Sequence, residues 1–457
     1  MVSFSGLEFL FRLLPVFLMI YFVTPVKHRE SILLLESLIF YALGEPVFVP
    51  ALIILTALNY YLGEKLWKPG KVPVYERQVK RRKTFLKLAV GLDVGVLGVF
   101  KCLAVFVDNA LLPLGLSFYI FKMISYQIDM YRQAVPEKPG LKQAALYFTL
   151  FPQVESGPIM LYGEGGFGSG RVCSLEGFED GLKYFVSGLG MKVLLADKLA
   201  ILWNDLQMIG FQSISTPLAW LGAAGYSLQL YFDFWGYSLM ASGLMVMLGY
   251  PFIQNFNDPY AAKSISEFYR RWHMTLGKWF REYVYIPLGG SRCSRKRLIF
   301  NLALVWLLTG IWHGNGINYL IWGGAIGMII ILEKTVYGRY LQKWPVLGNV
   351  YVLVLIPLTW VIFAVTDLRQ LDIYFGRLFP LLGGAGIAVN EQDILKYLKD
   401  YSIYFIAGIS LCIPAMLRFW KKHKNHPLVV LLLVLVFWMS VYTRSNSAGN
   451  PFMYLKF

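Results

Sequence analysis

His313 stands out among the five histidines of this chain, because it ends the otherwise apolar run of residues 305–313. An ionisable side chain inside an apolar segment indicates a functional site. Burial favours the neutral imidazole ring, and a neutral ring can take a proton from a hydroxyl group as a general base. A histidine that is hydrogen-bonded between two helices would explain the same pattern, and both interpretations stay open at this point.

Two glycines bracket this histidine, Gly310 three residues before it and Gly314 directly after it. Glycine has no Cβ atom, so another group can approach the backbone closely at both positions. The approaching group is either a substrate or a neighbouring helix.

His273 lies in a segment that is rich in both aromatic and basic residues, 264–286, with the sequence SISEFYRRWHMTLGKWFREYVYI. The spacing predicts a helix in the membrane interface, and Ser264 followed by Glu267 resembles a capping box at its start. The basic residues on this segment are Arg270, Arg271, Lys278 and Arg281. An aromatic belt with basic side chains that reach lipid phosphates is the alternative, and it accounts for most residues here, including Trp272.

The elements that must position these residues are membrane helices, because 57% of the chain is hydrophobic and its mean hydropathy is +0.53. One crossing takes about 20 apolar residues. We predict an all-α polytopic membrane protein of roughly ten to twelve transmembrane or re-entrant helices, with amphipathic interfacial helices. The candidate spans are 8–25, 31–44, 46–64, 84–107, 111–131, 143–161, 180–203, 216–248, 299–313, 317–335, 348–366, 402–419 and 427–443.

The net charge of +16 indicates membrane topology rather than nucleic acid binding, since the basic residues cluster between apolar spans. The clusters at 65–87, 263–297 and 418–424 are typical of cytoplasmic loops. This topology puts both chain ends outside the cytoplasm and the interfacial segment 251–298 on the cytoplasmic side. We expect a single membrane domain over residues 1–457.

The four cysteines are scattered without the spacing of a metal site or a disulfide framework. We therefore expect no metal and no disulfide framework. They are Cys102, Cys173, Cys293 and Cys412.

Several runs resemble the membrane-bound O-acyltransferases, above all 270–276 (RRWHMTL), 279–290 (WFREYVYIPLGG) and 309–314 (TGIWHG). The resemblance is greatest to the bacterial alginate O-acetyltransferase branch and extends over nearly the whole chain. Further runs match that branch in order: 6–11 (GLEFLF), 40–42 (FYA) with 44–46 (GEP), 112–118 (LPLGLSF), 125–132 (SYQIDMYR), 151–153 (FPQ) with 157–159 (GPI), and 450–457 (NPFMYLKF).

The resemblance implies a ring of helices around a central funnel in a bacterial cytoplasmic membrane, with an acyl-thioester donor, acetyl-CoA, arriving from the cytoplasm. The acceptor is a hydroxyl on a polysaccharide, reached directly or through an extracytoplasmic acetyltransferase or polysaccharide-modification partner. His313 matches the catalytic histidine of the family. His273 matches its second histidine, for donor positioning or proton handling. The segment around His273 would suit the donor phosphates. The predicted substrate-binding residues are Arg270, Arg271, Trp272, Lys278, Arg281, Trp312 and Asp233.

The chain departs from the branch at residues 234–241, which read FWGYSLMA where Phe-Ser-Gly-Tyr-Ser-Asp-Met-Ala is usual. Trp235 and Leu239 replace a hydroxyl and a carboxylate, a change that concerns the acceptor or the partner rather than the reaction class. Asp233 remains just upstream, to pair with an arginine, to hydrogen-bond the site, or to make a purely structural bond. The alternative functions are a proton-coupled transporter or exporter of a cell-envelope precursor, with His273, His313 and Asp233 in a proton relay, and a structural anchor.

Overall fold

The computed structural model describes residues 3–68, 76–135, 137–164, 173–382 and 389–447. Within these ranges the chain forms helices and no strand, which confirms the all-α prediction. Its residues group into two compact units, Met1–Phe185 with Met240–Ile253, and Val186–Leu239 with Gln254–Phe457. The single domain over residues 1–457 stays a prediction.

The first unit is built on paired apolar helices, with α3 packed against α4 and α5, and α2 against α6. A π-helical turn, Phe9–Leu13, precedes α1. The helices are α1 (Leu14–Val23), α2 (Val26–Gly44), α3 (Val49–Leu66), α4 (Glu76–Phe106), α5 (Leu116–Arg132), α6 (Leu141–Thr149), α7 (Phe151–Val154) and most of α8 (Leu175–Gly190).

The second unit holds both histidines of interest. Three π-helical turns interrupt or extend its helices, at Met191–Ala196, Arg281–Tyr285 and Glu333–Tyr337. Its helices are α9 (Asp197–Ile209), most of α10 (Thr216–Met247), α11 (Ile265–Arg271), α12 (Met274–Phe280), α13 (Arg295–His313), α14 (Ile317–Leu332), α15 (Gly338–Lys343), α16 (Pro345–Ala364), α17 (Leu368–Leu378), α18 (Asp393–Leu411), α19 (Pro414–His423) and α20 (Pro427–Ser445).

Six helical segments in the described part of the chain are long and apolar enough to cross a membrane, or seven if the bent pair α18 and α19 is one span. The chain is therefore a multi-pass membrane protein. The count of ten to twelve helices and the central funnel stay predictions. The predicted location of the two chain ends concerns residues 1–2 and 448–457, which lie outside the described residues. The six segments are Pro46–Leu66, Gln78–Phe106, Asn109–Arg132, Ile317–Lys343, Pro345–Ala364 and Pro427–Ser445.

Two of the predicted spans are not continuous helices, because proline interrupts both of them. In the span 143–161, α6 ends at Thr149 and residues 155–161 form no helix. In the span 402–419, Pro414 begins a new helix after an extended Ile413, and α19 bends by 73° away from α18.

The helix that ends in His313 packs closely along α14, and two glycines make the approach possible. A Cβ atom on Gly323 would lie 2.6 Å from the carbonyl oxygen of Trp306 and 3.1 Å from the Cα atom of Gly310. A Cβ atom on the next residue, Gly324, would meet nothing within 4 Å. Backbone contact at small residues is a common way for membrane helices to associate.

We expect Gly323→Ala to destabilise the protein by about 1–3 kcal/mol, because the added methyl group meets main-chain atoms that cannot move aside. Gly324→Ala is the matched control on the same helix, and it should be neutral or stabilising by up to about 1 kcal/mol through helix propensity. Thermal unfolding of both purified variants checks this. Equal unfolding temperatures of the two variants would show that the close approach of α13 and α14 does not contribute to the stability of the protein.

Candidate active site

The helix before His273 starts where the sequence predicts, since the Ser264 hydroxyl accepts a hydrogen bond of 3.0 Å from the Glu267 N–H. The first turn of α11 has a second acceptor in Glu333, which is buried. Its carboxylate accepts hydrogen bonds from the N–H groups of Ile265 (2.6 Å) and Ser266 (2.8 Å). Glu333 thus satisfies two donors that a helix N-terminus leaves without partners.

The prediction of one helix over residues 264–286 is wrong, because the chain turns at Trp272 and His273. His273 adopts the left-handed conformation with φ of 43°, which is rare for a residue with a side chain. The Met274 N–H donates to the Asn255 carbonyl oxygen at 2.9 Å rather than continuing α11. A second helix, α12, starts after the turn.

His273 is buried, with 4% of its surface exposed. Its Nδ1 atom lies 3.0 Å from the Asn255 side-chain oxygen Oδ1, and its ring packs edge-on against Phe234 at 4.5 Å between centroids. Burial lowers the pKa of His273 from 6.5 to about 3. The ring is therefore neutral at physiological pH.

His313 is the last residue of α13 and is also 4% exposed. Three aromatic rings surround its imidazole at centroid distances of 4.6 Å (Trp312), 5.0 Å (Trp322) and 5.2 Å (Phe363). The last two arrangements are edge-on, at 88° and 84°. These rings exclude water from most of the imidazole surface.

Trp312 connects the two histidines, which lie far apart in the sequence. Its ring centroid is 4.6 Å from that of His313 and 6.5 Å from that of His273. The fold therefore brings both histidines and Trp312 into one aromatic cluster of the second unit.

The glycines beside His313 contact another helix of the chain. A Cβ atom on Gly310 would lie 2.6 Å from the Tyr319 carbonyl oxygen, and one on Gly314 would overlap the Tyr319 ring. The group that approaches the backbone at both glycines is therefore Tyr319 of a neighbouring helix, α14.

The predicted basic residues differ in their surroundings. Arg271 is half-buried, donates to Glu267 Oε1 at 2.6 Å, and also contacts the Asp258 carbonyl oxygen at 3.4 Å. Trp272 is buried between the rings of Phe268 and Trp360. The other three basic side chains are exposed: Arg270, Lys278 and Arg281.

Asp233 pairs with a lysine rather than an arginine. Lys192 Nζ lies 2.7 Å from Asp233 Oδ1 and 2.7 Å from Asp197 Oδ1, and its side chain is 3% exposed. Lys192 and Asp197 lie in and directly after the π-helical turn that follows α8, and such turns are frequent at functional sites.

Sequence reasoning missed Asn255, Glu333 and Lys192. A charged residue inside the candidate span 180–203 was a usable signal for Lys192, and the same applies to Glu333 near the end of the span 317–335. Asn255 gave no signal, because its bonds depend on the left-handed turn at His273. Among the described residues no group of three or more His, Cys, Asp or Glu side chains could hold a metal ion.

This chain is similar in sequence to a known protein family and to several bacterial proteins. The sequence model of the membrane-bound O-acyltransferase family matches residues 47–365. A probable alginate O-acetylase, AlgI, of Pseudomonas putida is 32% identical over 494 aligned residues, covering 99% of this chain and 100% of that protein. The probable alginate O-acetylase of Pseudomonas aeruginosa is 38% identical, covering 80% of this chain and 72% of that protein.

A peptidoglycan O-acetyltransferase of Helicobacter pylori is 30% identical, covering 79% of this chain and 77% of that protein. These similarities agree with the resemblance carried by the two histidine motifs. The chain is a multi-pass O-acyltransferase, and it belongs to the membrane-bound O-acyltransferase family.

Proposed function

We propose that this enzyme moves an acetyl group from acetyl-CoA on the cytoplasmic side to a hydroxyl of an extracytoplasmic polysaccharide, either directly or through a partner protein. The observation that carries the proposal is the pair of buried histidines whose rings both contact Trp312. The names of the relatives, which refer to alginate and peptidoglycan, support a polysaccharide as the acceptor. The membrane is the bacterial cytoplasmic membrane.

In the proposed reaction His313 is the general base. Its ring takes the proton of the acceptor hydroxyl while the hydroxyl oxygen forms a bond to the thioester carbonyl carbon. The carbon–sulfur bond then breaks, and the proton leaves the ring for the departing thiolate, so that the products are an ester and free coenzyme A. The aromatic rings around His313 support this role, because they keep out water that would compete with the acceptor.

His273 and the basic side chains act on the donor side in this proposal. Exposed Arg270, Lys278 and Arg281 would form charge-assisted hydrogen bonds to the phosphates of coenzyme A. Arg271, already paired with Glu267, would orient Trp272 and the turn more than it would bind phosphate. Asp233, paired with Lys192, supports α10 near Phe234, which packs on His273.

His313→Ala should lower acyl transfer by about 10²–10⁴-fold, the usual contribution of a general base. The measurement is mass spectrometry of purified cell-envelope polymers from cells that carry the variant, the wild type or no enzyme, with O-acetyl esters as the readout. Release of free coenzyme A thiol in membranes supplied with acetyl-CoA gives the rate.

The matched control is His28→Ala, since His28 is an exposed histidine at the start of α2, and it should leave the ester content unchanged. Wild-type ester levels in the His313→Ala variant, at equal protein abundance, would remove His313 from the mechanism.

Neutralising the exposed cations should weaken binding of the donor more than it slows the chemical step. We expect Lys278→Gln and Arg281→Gln each to raise KM for acetyl-CoA by about tenfold, since a hydrogen bond to a charged group contributes about 1.5–3 kcal/mol and even the lower end of that range is a factor of about ten. Steady-state kinetics against acetyl-CoA measures this. Arg369→Gln removes an exposed arginine outside the segment and serves as the control; an equal rise in KM there would mean that only the overall charge matters.

The depressed pKa of His273, which lies between α11 and α12 outside the six spanning segments, predicts a pH dependence of stability. An unfolded chain binds a proton at this histidine near pH 6.5, whereas the folded chain does so only near pH 3. Its contribution to stability is therefore complete above pH 6.5 and decreases as the pH falls from 6.5 towards 3.

The unfolding temperature of the wild type should consequently fall more between pH 8 and pH 5 than that of His273→Gln. The exposed-histidine variant His28→Gln should show the same fall as the wild type. Parallel curves for the wild type and His273→Gln would contradict a neutral, buried ring at position 273.

A further inference from the structure

The side chain of Asn255 contacts several polar groups in and around the turn at His273. Its side chain is 3% exposed. The oxygen Oδ1 accepts from the Thr275 N–H at 3.2 Å and from the Thr275 hydroxyl at 3.0 Å, and it lies 3.0 Å from His273 Nδ1. The nitrogen Nδ2 donates to the Ser238 hydroxyl at 2.9 Å.

These contacts fix which end of the amide faces the histidine. A backbone N–H can only donate, so the Asn255 atom that faces Thr275 N must be the oxygen. The same oxygen faces His273 Nδ1, and an oxygen without a hydrogen can only accept. Nδ1 therefore carries a hydrogen, and in a neutral ring the lone pair is on Nε2.

Main-chain hydrogen bonds also hold the turn at His273 against residues 255–257. The Asn255 carbonyl oxygen accepts from the Met274 N–H at 2.9 Å, and the Asn257 N–H donates to the Arg271 carbonyl oxygen at 3.0 Å. Residues 255–257 thus bond to both sides of His273, which keeps this residue in its left-handed conformation with φ of 43°. A non-glycine residue stays in this region only where its surroundings enforce it.

We propose that Asn255 is a positioning residue that holds His273 in the tautomer with hydrogen on Nδ1, so that Nε2 is the atom that accepts and returns a proton during acyl transfer. The inference deepens the proposed function and rests on it for the catalytic consequence, whereas the tautomer itself does not depend on it.

The neutral amide has a different effect from a carboxylate in the same position. A carboxylate next to Nδ1 orients the ring and also stabilises the imidazolium ion. An amide oxygen orients the ring without a negative charge, so the proton that Nε2 takes over from the His313 imidazolium is held weakly and is released readily to the leaving thiolate. His273 in this arrangement is a transient proton carrier.

The tautomer can be measured on the full-length protein with ¹⁵N-labelled histidine, because protonated and unprotonated ring nitrogens give well-separated NMR signals. The chain has five histidines, and the signals that disappear in His273→Gln assign the ring. The wild type should show a protonated Nδ1 and an unprotonated Nε2. In Asn255→Ala the ring should lose this preference, and in Asn255→Asp the hydrogen on Nδ1 should remain.

Asn349→Ala is the matched control, since its amide also donates two hydrogen bonds, to the carbonyl oxygens of Ala261 (3.1 Å) and Ala262 (2.9 Å). It should leave the His273 signals unchanged. A protonated Nε2 in the wild type, or an unchanged tautomer in Asn255→Ala, would overturn the proposal. If Asn255→Ala does not fold, Asn255→Asp decides, because loss of the Nδ1 hydrogen there contradicts the assignment.

Measurements of kcat distinguish a failure of this inference from a failure of the proposed function. Asn255→Ala should lower kcat by about 10–100-fold, as removal of a group that orients a metal-binding histidine does, with KM for acetyl-CoA nearly unchanged, and Asn255→Asp should retain more activity. Unchanged kcat in Asn255→Ala together with an altered tautomer would overturn the role of His273 as proton carrier. Acyl transfer that survives His313→Ala would instead overturn the proposed function and leave the measured tautomer standing.

Discussion

A polar group that is buried among apolar helices has no water to bond, so its partner must come from the chain itself. This constraint determines the local structure around both ends of α11. The free N–H groups at its start bond to the Glu333 carboxylate, and the turn at its end bonds to Asn255. The position of His273 follows from these bonds, because the helix is fixed at one end by an acid and at the other by an amide.

The cluster around Trp312 combines two kinds of control over a histidine ring. His273 is oriented by a directional hydrogen bond, whereas His313 is enclosed by aromatic rings. The hydrogen bond to Asn255 orients the ring of His273, and the aromatic rings around His313 limit its rotation and its contact with water. The two histidines therefore contact the same indole ring in different surroundings.

Much of the fold was predictable because hydropathy and helix caps are local properties. The serine at position 264 marks the start of α11 correctly, and the apolar run before His313 forms α13 as expected. The breaks were harder to predict. Regular spacing of aromatic and basic residues continues through 264–286, yet the chain turns at His273 because Asn255, a residue distant from that spacing, bonds to the backbone after it.

The candidate site shows the same division between local and long-range information. The residue types of His273 and His313 indicated function, since a titratable ring in apolar surroundings is unusual. Their common contact with Trp312 was not visible, because it depends on how α13 packs relative to the turn at His273. The role of Asn255 was hidden for the same reason, whereas Lys192 was detectable as a charge within an apolar segment.

The ion pair between Lys192 and Asp233 also has a consequence for biosynthesis. A lone carboxylate on α10 would have to enter apolar surroundings against a cost of about 2.5–3.5 kcal/mol. The ribosome makes Lys192 before Asp233, so the cation with which the acid pairs is already part of the chain when α10 is synthesised. Burial of Asp233 together with Lys192 would lower this cost, because opposite charges 2.7 Å apart attract each other strongly in apolar surroundings.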